Sequence, residues 1–526
     1  MIRYDDPNQQ ALPGFEKFHG FPFDMNNRWV KLSERIPWDE FAKAYDKNMS
    51  SGRGRPSKPA RLVIGAVIIK HKLCLSDEET VEQIRENPYL QYFVGFNSFQ
   101  TKVPFVPSLF VEIRRRMGKD LFEQFNQSIV DLLEAKNRAK PKKSKPEKSI
   151  DDSDQNTDLT KESDAKQSGH PKSNKGKLII DATVAEQAIH FPTDLGLLNE
   201  SREISESLID TLYPLSGLKK KPRTYRRNAR KAYLALAKQK KPQKKQIRKS
   251  IKQQLQFLKR NFGHIENLLD LVADESTVLS KQQRHQYWII QEIYRQQEEM
   301  FRQGNRRCDH RIVNIHQPHI RPIVRGKAGK KVEFGAKLGV SLTADGLAQV
   351  DHLSWESYHE GQDLPIQVEN YKKRHGYYPE VVLADQIYGT RENRLYLNQL
   401  DIRFAGKALG RPKKETDENK PQLREEKRRR KAEYRERIPV EGKFGQGKNG
   451  YRLNYIRART QATSESWIYS IFLVMNLLVL ASSFLRLLKT GLSNSYSIIK
   501  ELFGKIKLTL ESVVLSMAIF QLQVVV

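Results

Sequence analysis

Cysteine is nearly absent from the chain, which has 526 residues but only Cys74 and Cys308. Two cysteines in so long a chain exclude a disulfide framework and are typical of a protein that folds in a reducing cytoplasm. Cys308 is followed by His310, His316 and His319. Because no Cys-x-x-Cys pair accompanies them, we interpret this stretch as an ordinary loop rather than a zinc site.

A hydrophobic leader is also lacking, since residues 1–6 are polar and charged. The one run that resembles a membrane span, 468–485, carries Asn476, Ser482 and Ser483. We therefore predict a buried helix behind a sheet rather than a span. With no repeat period visible either, these absences favour a cytoplasmic protein without a membrane partner.

Acidic residues are missing where basic residues are densest. The net charge is +30 and the pI is near 9.8. No acid occurs between Thr211 and Ile265, while residues 219–260 hold eighteen Lys or Arg with aromatic residues interleaved. Such a surface tracks phosphates and binds through counterion release, which predicts a nucleic-acid partner. A solvated basic arm without a ligand is the alternative.

Two short apolar runs end in an acid. Residues 177–181 end at Asp181, and residues 380–385 end at Asp385, which is followed by Tyr388. Both runs are apolar enough to be central strands of a covered sheet. Functional groups gather at the carboxyl ends of such strands, so we predict that both acids belong to a site. A simple cap or turn after each strand is the alternative.

Near the end of the chain, a single acid stands among cations. Tyr434, Arg437, Glu441 and Lys448 are spaced Y-x-x-R-x-x-x-E-x-x-x-x-x-x-K. On a helix Glu441 and Lys448 would share a face, and Pro439 predicts that this helix starts there. A carboxylate among phosphate-seeking donors indicates metal-assisted chemistry on a nucleic-acid backbone, and a surface salt bridge is the alternative.

Taken together, these residues resemble the DDE transposases of bacterial insertion sequences, in the group with a Tyr-Arg-Glu-Lys signature (IS-four/IS-five-like). The resemblance covers roughly residues 31–480. Three further blocks carry it, at Ile189–Asn199, Leu383–Arg394 and Val440–Lys448. One motif departs from some relatives, because two residues separate Asp385 from Tyr388 where a single one is also found.

The resemblance implies an α/β fold with a ribonuclease-H-like mixed sheet. The order of the predicted elements agrees with that expectation. After the strand at Asp181 and a long insertion come a hairpin at 332–343 and 348–355, a helix at about 364–374, the strand before Asp385, a helix near 391–400, a strand at 401–406 and the helix with Glu441.

Composition divides the chain into four predicted regions. These are a small all-α, helix-turn-helix-like DNA-binding domain at 1–135, a disordered polar linker at 136–176, the catalytic domain at 177–490 with a basic helical insertion at about 195–310, and an unassigned tail at 491–526. Core packing alone would explain the amino-terminal helices equally well.

Several local signals set boundaries inside these regions. A first amino-terminal helix opens at 57–61, and Ser76 with Glu79 predicts a capping-box start for a second. In the insertion, a helix is expected to begin at Trp288, and Gly263 or Gly304 to punctuate the helices. Residues 411–433 are expected to form a mobile basic loop beside the active site.

The resemblance also implies the chemistry. Asp181, Asp385 and Glu441 would hold Mg²⁺, with Mn²⁺ as a substitute, and two ions about 4 Å apart suit in-line phosphoryl displacement. Tyr434, Arg437 and Lys448 would hold the terminal phosphates of the element. Further DNA contacts are expected at Lys443, Arg391, Arg226, Arg227 and Arg230.

The resulting hypothesis is an insertion-sequence transposase that binds its element's terminal inverted repeats and catalyses metal-dependent DNA cleavage and strand transfer. Its partners would be double-stranded DNA, from the element's ends and the target, and a second copy in a homodimeric synaptic complex. It would be cytoplasmic and nucleoid-associated. A ribonuclease-H-like nuclease that cleaves without joining and a catalytically inactive, transposase-derived DNA-binding regulator are the alternatives.

Overall fold

The architecture is known from a computed structural model. It describes residues 17–18, 21–48, 57–138, 174–272, 278–324, 332–343, 345–411, 414–417 and 419–481. Most of the predicted linker and all of the predicted tail at 491–526 lie outside the described residues.

The amino-terminal part is helical after a short hairpin. Its elements are β1 (Lys17–Phe18), β2 (Phe21–Pro22), α1 (Arg28–Ser33), α2 (Trp38–Lys47), α3 (Ala60–Leu73), α4 (Asp77–Glu86), α5 (Pro88–Phe93) and α6 (Leu109–Arg138). The predicted start of α4 is confirmed, because the Ser76 hydroxyl accepts a hydrogen bond of 3.0 Å from the Glu79 backbone N–H. Helix α6 is kinked at Gly118, where φ is +59°, a conformation that favours glycine.

Among the described residues, four further helices form the insertion between the first two strands of the main sheet. They are α7 (Asp194–Leu212), α8 (Arg226–Ala237), α9 (Lys244–Asp270) and α10 (Lys281–Gln303). The apolar faces of α7, α9 and α10 pack into a cluster of their own that includes Leu198, Leu258, Ile265 and Ile290. The periodic apolar spacing therefore predicted helices correctly.

One predicted helix boundary in the insertion is wrong and one is confirmed. The prediction that a helix begins at Trp288 is wrong, because Ser280 and Gln283 form a capping box that starts α10 earlier. Gly304 ends α10 with φ of +69°, as predicted. Gly263 lies inside α9 and interrupts nothing.

The remaining elements build and cover a mixed sheet. The strands are β3 (Lys177–Glu186), β4 (Arg321–Val324), β5 (Val332–Leu342), β6 (Ala348–Ser354), β7 (Val381–Leu383) and β8 (Arg403–Ala405). The helices are α11 (Leu364–His375), α12 (Arg391–Gln399), α13 (Lys420–Gly445) and α14 (Gln461–Ala481). The strand order is β4-β5-β3-β7-β8, with β6 also paired to β5. Strands β3, β7 and β8 are parallel and β5 is antiparallel to β3, which confirms a mixed α/β sheet.

Strand β3 does not end at Asp181, contrary to the sequence prediction. Its antiparallel pairing with β5 continues to Glu186, which lies opposite Gly335. Only the parallel pairing with β7 stops early, at Ile179 opposite Leu383. Asp181 therefore lies in the middle of a strand but just past the end of its parallel ladder.

Helix α13 does not begin at Pro439 either, and the predicted loop at 411–433 is largely helical. The residues before Pro439 are mostly strong helix formers, and Pro421 stands in the first turn, where proline is tolerated. An internal proline removes one hydrogen bond of the helix, which the other turns of this long helix outweigh. Lys448 lies in the π-helical turn Gln446–Gly450 that follows.

Helix α14 is the apolar run of the sequence. It is the one described helix long and apolar enough to cross a membrane, and 78% of its most apolar window is buried inside the protein. Asn476 explains part of this burial: its side-chain Oδ1 accepts from the Ala348 N–H at 2.9 Å, and its Nδ2 donates to the Ala348 carbonyl at 2.7 Å. Its Nδ2 also donates to Asn126 in α6. Helix α14 thus lies between the sheet and the amino-terminal helices, in one shared core.

Candidate active site

Asp181 and Asp385 lie on neighbouring parallel strands. The last parallel pair between β3 and β7 is Ile179 with Leu383, so each acid stands two residues beyond the same rung. Neighbouring strands lie about 4.8 Å apart, and this register brings both carboxylates to one edge of the parallel ladder. Asp385 then caps the 3-10 turn Gln386–Tyr388, whose first N–H donates to the Asp385 carboxylate at 2.7 Å.

Arg437, on helix α13, connects Glu441 to Asp181. The Arg437 Nη1 donates to Asp181 Oδ2 at 3.2 Å, and the Arg437 Nη2 donates to Glu441 Oε1 at 2.8 Å. A second ion pair, between Lys177 Nζ and Glu436 Oε2 at 2.6 Å, also links β3 to α13. One guanidinium therefore joins two of the three predicted acids.

Negative charge is concentrated around Asp181. Burial raises the pKa of Asp181, the Ala182 N–H and Arg437 oppose this shift, and the charges of Glu360 and Asp385 add to it. Crowded carboxylates of this kind are stabilised by any cation that enters between them. Arg437 supplies that cation in the structure.

The three carboxylates are suitable ligands for a hard divalent ion, provided that Arg437 moves away from them. Carboxylate oxygens are the ligands that Mg²⁺ and Mn²⁺ prefer, and the Arg437 guanidinium is a stand-in cation between Asp181 and Glu441. Within the described ranges, no group of three or more Asp, Glu, His or Cys side chains is already arranged to hold a metal. An ion shared by all three acids therefore requires Arg437 to move aside.

A second 3-10 turn, Glu360–Asp363, lies against the turn that Asp385 caps. The buried Asn393 side chain donates to the Gly361 carbonyl at 2.7 Å and to the Tyr388 carbonyl at 2.8 Å, so one amide holds both turns. A Cβ atom added to Gly361 would stand 3.0 Å from the Ile387 carbonyl oxygen, so a larger residue would crowd the turn. Sequence reasoning missed this clamp, because the turns are distant in the chain and carry no spacing signal.

Glu360 was missed as well and is a fourth acid near this centre. Its Oε1 pairs with Lys337 Nζ at 3.1 Å. Burial, with Glu360 and Asp181 as the next causes, raises the pKa of Tyr388 well above its usual value. The fully buried Tyr388 therefore keeps its proton and supports the turn rather than serving as an exposed DNA contact.

A groove of about 720 Å³ opens beside Asp385 and Arg437. It is lined by Leu383, Ala384, Asp385 and Gln386 after β7, by Ala405, Gly406 and Lys407 after β8, and by Lys427, Arg430, Lys431, Glu433, Tyr434 and Arg437 on α13. The run of consecutive cations at 427–431 was the available sequence signal, but it was assigned to a loop.

The signature residues take different positions around the centre. Tyr434 is 59% exposed, and Arg437 lies over its ring at 5.6 Å from the centroid. Lys448 Nζ lies 3.5 Å from Glu333 Oε1 of β5. Lys443 is buried, and burial lowers its pKa to about 8. Tyr434 and Arg437 therefore face the groove, whereas Lys448 and Lys443 do not line it.

The other predicted DNA contacts lie on helix starts and on the insertion. Arg391 is the exposed first residue of α12. Arg227 and Arg230 are exposed on α8, while Arg226 makes a bidentate contact with Asp210 at 3.0 and 2.7 Å. Helix α8 packs on α7 and α9, so these arginines belong to a surface of the insertion.

Two family models match the chain. One, described as "Transposase DDE domain", matches residues 382–478, and the other, "Transposase domain (DUF772)", matches residues 21–116. The first match contains Asp385, Arg437 and Glu441. The matched segments are thus of transposase type, and together they support an insertion-sequence transposase with a DDE domain, a protein of mobile elements.

The chain is also similar to a Rhizobium meliloti protein named "Uncharacterized protein ORF8 in nfe locus". The two are 37% identical over 112 residues, which are 21% of this chain and 54% of that protein. The chain therefore spans about half the length of the curated relative it matches. No solved structure matches the chain.

Proposed function

We propose that this protein is the transposase of an insertion sequence, which binds the terminal inverted repeats of its element and catalyses metal-dependent DNA cleavage and strand transfer. The observation that carries the proposal is that Arg437 contacts both Asp181 and Glu441, while Asp385 stands at the matching position on the strand next to Asp181. The match to a DDE transposase domain supports it.

The finer family and fold assignments are part of this proposal. The spacing of Tyr434, Arg437, Glu441 and Lys448 favours the Tyr-Arg-Glu-Lys signature group. The order of strands and helices around β3 favours a ribonuclease-H-like catalytic domain. The short connection between α3 and α4 favours a helix-turn-helix-like amino-terminal module.

Asp181, Asp385 and Glu441 would hold Mg²⁺, or Mn²⁺ in its place, after Arg437 has turned away from the carboxylates. When bound there, such ions would supply activation of the attacking oxygen and stabilisation of the leaving oxygen in an in-line phosphoryl displacement. The side chains do the rest. The clamp at Asn393 fixes the turn that presents Asp385. Arg437, released by the incoming DNA, can pair with a phosphate, for which its planar guanidinium is suited.

DNA contacts would come from two groups of residues. Near the acids these are Tyr434, Arg437, Lys448, Lys443 and Arg391, and on the insertion Arg226, Arg227 and Arg230. Because Lys443 is buried, its contact with DNA requires the end of α13 to adjust. The partners would be double-stranded DNA and a second copy in a synaptic dimer, in the cytoplasm at the nucleoid.

An in-vitro assay of strand cleavage and strand transfer tests the proposal. The substrate is DNA that carries the element's own ends, with Mg²⁺ or Mn²⁺, and the native protein is compared with Asp385→Ala and Glu441→Ala. We expect both variants to lose cleavage and joining by at least a hundredfold while DNA binding is retained.

The other outcomes identify the alternatives. Cleavage without joining by the native protein would indicate a nuclease of this fold. DNA binding with no metal-dependent cleavage in any condition would indicate a regulator that has lost catalysis.

A further inference from the structure

Helix α13 carries a stripe of side chains that leads directly to the candidate active site. Lys427, Arg430, Lys431 and Tyr434 follow the spacing i, i+3, i+4 and i+7, and Arg437 and Glu441 continue it. Side chains at this spacing lie on one face of a helix. At 1.5 Å per residue the stripe extends about 21 Å from Lys427 to the catalytic glutamate.

The stripe forms one wall of the groove described above. Five cations line that groove, Lys407, Lys427, Arg430, Lys431 and Arg437, against two acids, Asp385 and Glu433. Glu433 is buried and is hydrogen-bonded to Arg403, so its charge is already balanced. Arg437 is itself paired with Asp181 and Glu441, so the positive charge of the groove comes from its four other cations.

The floor and one end of the groove are suited to a nucleotide chain. Leu383, Ala384 and Ala405 give an apolar floor after β7 and β8. Tyr434 is 59% exposed between Lys431 and Arg437, which leaves a ring face open for stacking. Cations that track phosphates and an aromatic ring on which a base stacks are the recurring means of holding a single DNA strand.

We propose that this groove binds the DNA strand next to the scissile phosphate, with Lys427, Arg430 and Lys431 each contacting a backbone phosphate. The inference deepens and rests on the proposed function. It adds three phosphate contacts upstream of the Tyr434–Lys448 signature and assigns α13 as a guide from the DNA flank to the acids.

Paired triple variants of the full chain test this inference. Lys427→Ala, Arg430→Ala and Lys431→Ala together remove three groove cations. Arg428→Ala, Arg429→Ala and Arg435→Ala together remove three exposed cations of the same helix that do not line the groove. Alanine favours a helix, and circular dichroism verifies that both variants fold. The single variant Lys427→Gln serves if the groove triple does not fold.

The readouts are the binding of a labelled 30-base-pair duplex bearing the element's end and a single-stranded 3' extension, over a series of NaCl concentrations, and cleavage of the same DNA. Each lost phosphate contact lowers the slope of log K against log salt by about 0.9 on duplex and about 0.7 on single-stranded DNA. At about 0.8 per contact, we expect the magnitude of this slope to be smaller by roughly 2 to 3 in the groove triple variant than in the native protein. We expect cleavage to fall by tenfold or more, and the control triple to lose less than one in slope.

Equal slopes for the two triple variants, with cleavage by the groove triple unchanged, would overturn the groove assignment while the proposed function stands. Loss of slope in the groove triple without metal-dependent cleavage by the native protein would instead overturn the proposed function and leave the DNA-binding groove in place.

Discussion

At the scale of single residues, Arg437 has the most consequential position in the molecule. It was expected to contact DNA phosphates, yet it donates hydrogen bonds to Asp181 and Glu441. These two roles exclude each other at any moment, because one guanidinium cannot neutralise the carboxylates and a phosphate in different places. If DNA binds as we propose, we expect its arrival to draw Arg437 away and so release the acids.

A metal-binding experiment without DNA follows from this competition. Arg437→Gln removes the cation that occupies the space between Asp181 and Glu441, so we expect Mn²⁺ to bind the DNA-free variant several-fold more tightly than the native protein. The increase in melting temperature on Mn²⁺ titration measures this affinity. Arg435→Gln, an exposed cation on the same helix, is the matched control. Unchanged Mn²⁺ affinity in Arg437→Gln would mean that the guanidinium does not compete with the ion.

His71 makes stability dependent on pH. It is buried between α3 and α14 and shares a hydrogen bond of 2.8 Å with the Ser470 hydroxyl. Burial, followed by the charges of Lys70 and Arg114, lowers the pKa of His71 well below its usual value. As the pH falls through about 6.5, His71 becomes protonated in the unfolded chain but stays neutral in the folded chain. The contribution of His71 to stability is therefore fully present above that pH and decreases as the pH is lowered further.

We expect the native protein to lose about 1 kcal/mol of His71-dependent stability between pH 7.5 and pH 5.5, since the limiting slope is about 1.4 kcal/mol per pH unit. Urea-unfolding midpoints at the two pH values measure the loss. His71→Gln should lose less than the native protein over this range, whereas His285→Gln, at an exposed position of α10, should behave like the native protein. The same pH dependence in all three proteins would rule out His71 as its source.

At the scale of elements, the sheet and its helices were predictable, because apolar alternation and capping residues are local signals. The hairpin of β5 and β6, helix α11 and the strand before Asp385 all lie close to where the sequence predicts them. Helix α13 was not predictable in the same way. Its Pro439 is a strong local signal for a helix start, and only the surrounding helix-forming residues outweigh it.

The clamp that Asn393 forms beside the candidate active site could not be predicted from the sequence, for a different reason. Asp181 and Asp385 are noticeable in the sequence because each follows an apolar run, whereas Asn393 and Glu360 lie at or hold turns that meet only in the folded chain. The arrangement of Arg437 between two acids was hidden for the same reason. A sequence pattern shows which charged side chains are present, but it does not show which of them form ion pairs in the folded protein.

Asn476 makes helix α14 a testable element. Replacing it with leucine keeps the volume but leaves the Ala348 N–H and carbonyl without their side-chain partner in a buried site. Each unsatisfied buried group costs about 1–3 kcal/mol, so we expect Asn476→Leu to lower stability by about 2 kcal/mol or more. Thermal unfolding compares it with Asn454→Leu, at an exposed asparagine. Equal midpoints for the two variants would contradict the role given to Asn476.

At the scale of the whole molecule, positive charge is distributed over two surfaces, the α13 groove and the insertion. Arg227 and Arg230 are exposed on α8, whereas Arg295 and Arg302 on α10 pair with glutamates of their own helix. The net charge of +30 therefore does not describe how the cations are distributed over the surface. Unpaired cations, rather than the total, determine where a phosphate backbone binds.

A salt titration distinguishes these cations. Arg227→Ala with Arg230→Ala should reduce the slope of log K against log salt by about two on duplex DNA, one for each lost phosphate contact. Arg295→Ala with Arg302→Ala removes the same charge from glutamate-paired positions and should change the slope by less. Equal slope changes would indicate that the insertion attracts DNA only through its total charge.

Metal-directed backbone cleavage is the most direct test of whether Asp181, Asp385 and Glu441 form one divalent-metal centre. Fe²⁺ is bound in place of Mg²⁺ to the protein in complex with DNA, and ascorbate with peroxide generates hydroxyl radicals at the bound ion. We expect three clusters of cuts, around residues 181, 385 and 441, all suppressed by excess Mg²⁺. Cuts at only one of these segments, or cuts that Mg²⁺ does not suppress, would contradict a shared centre.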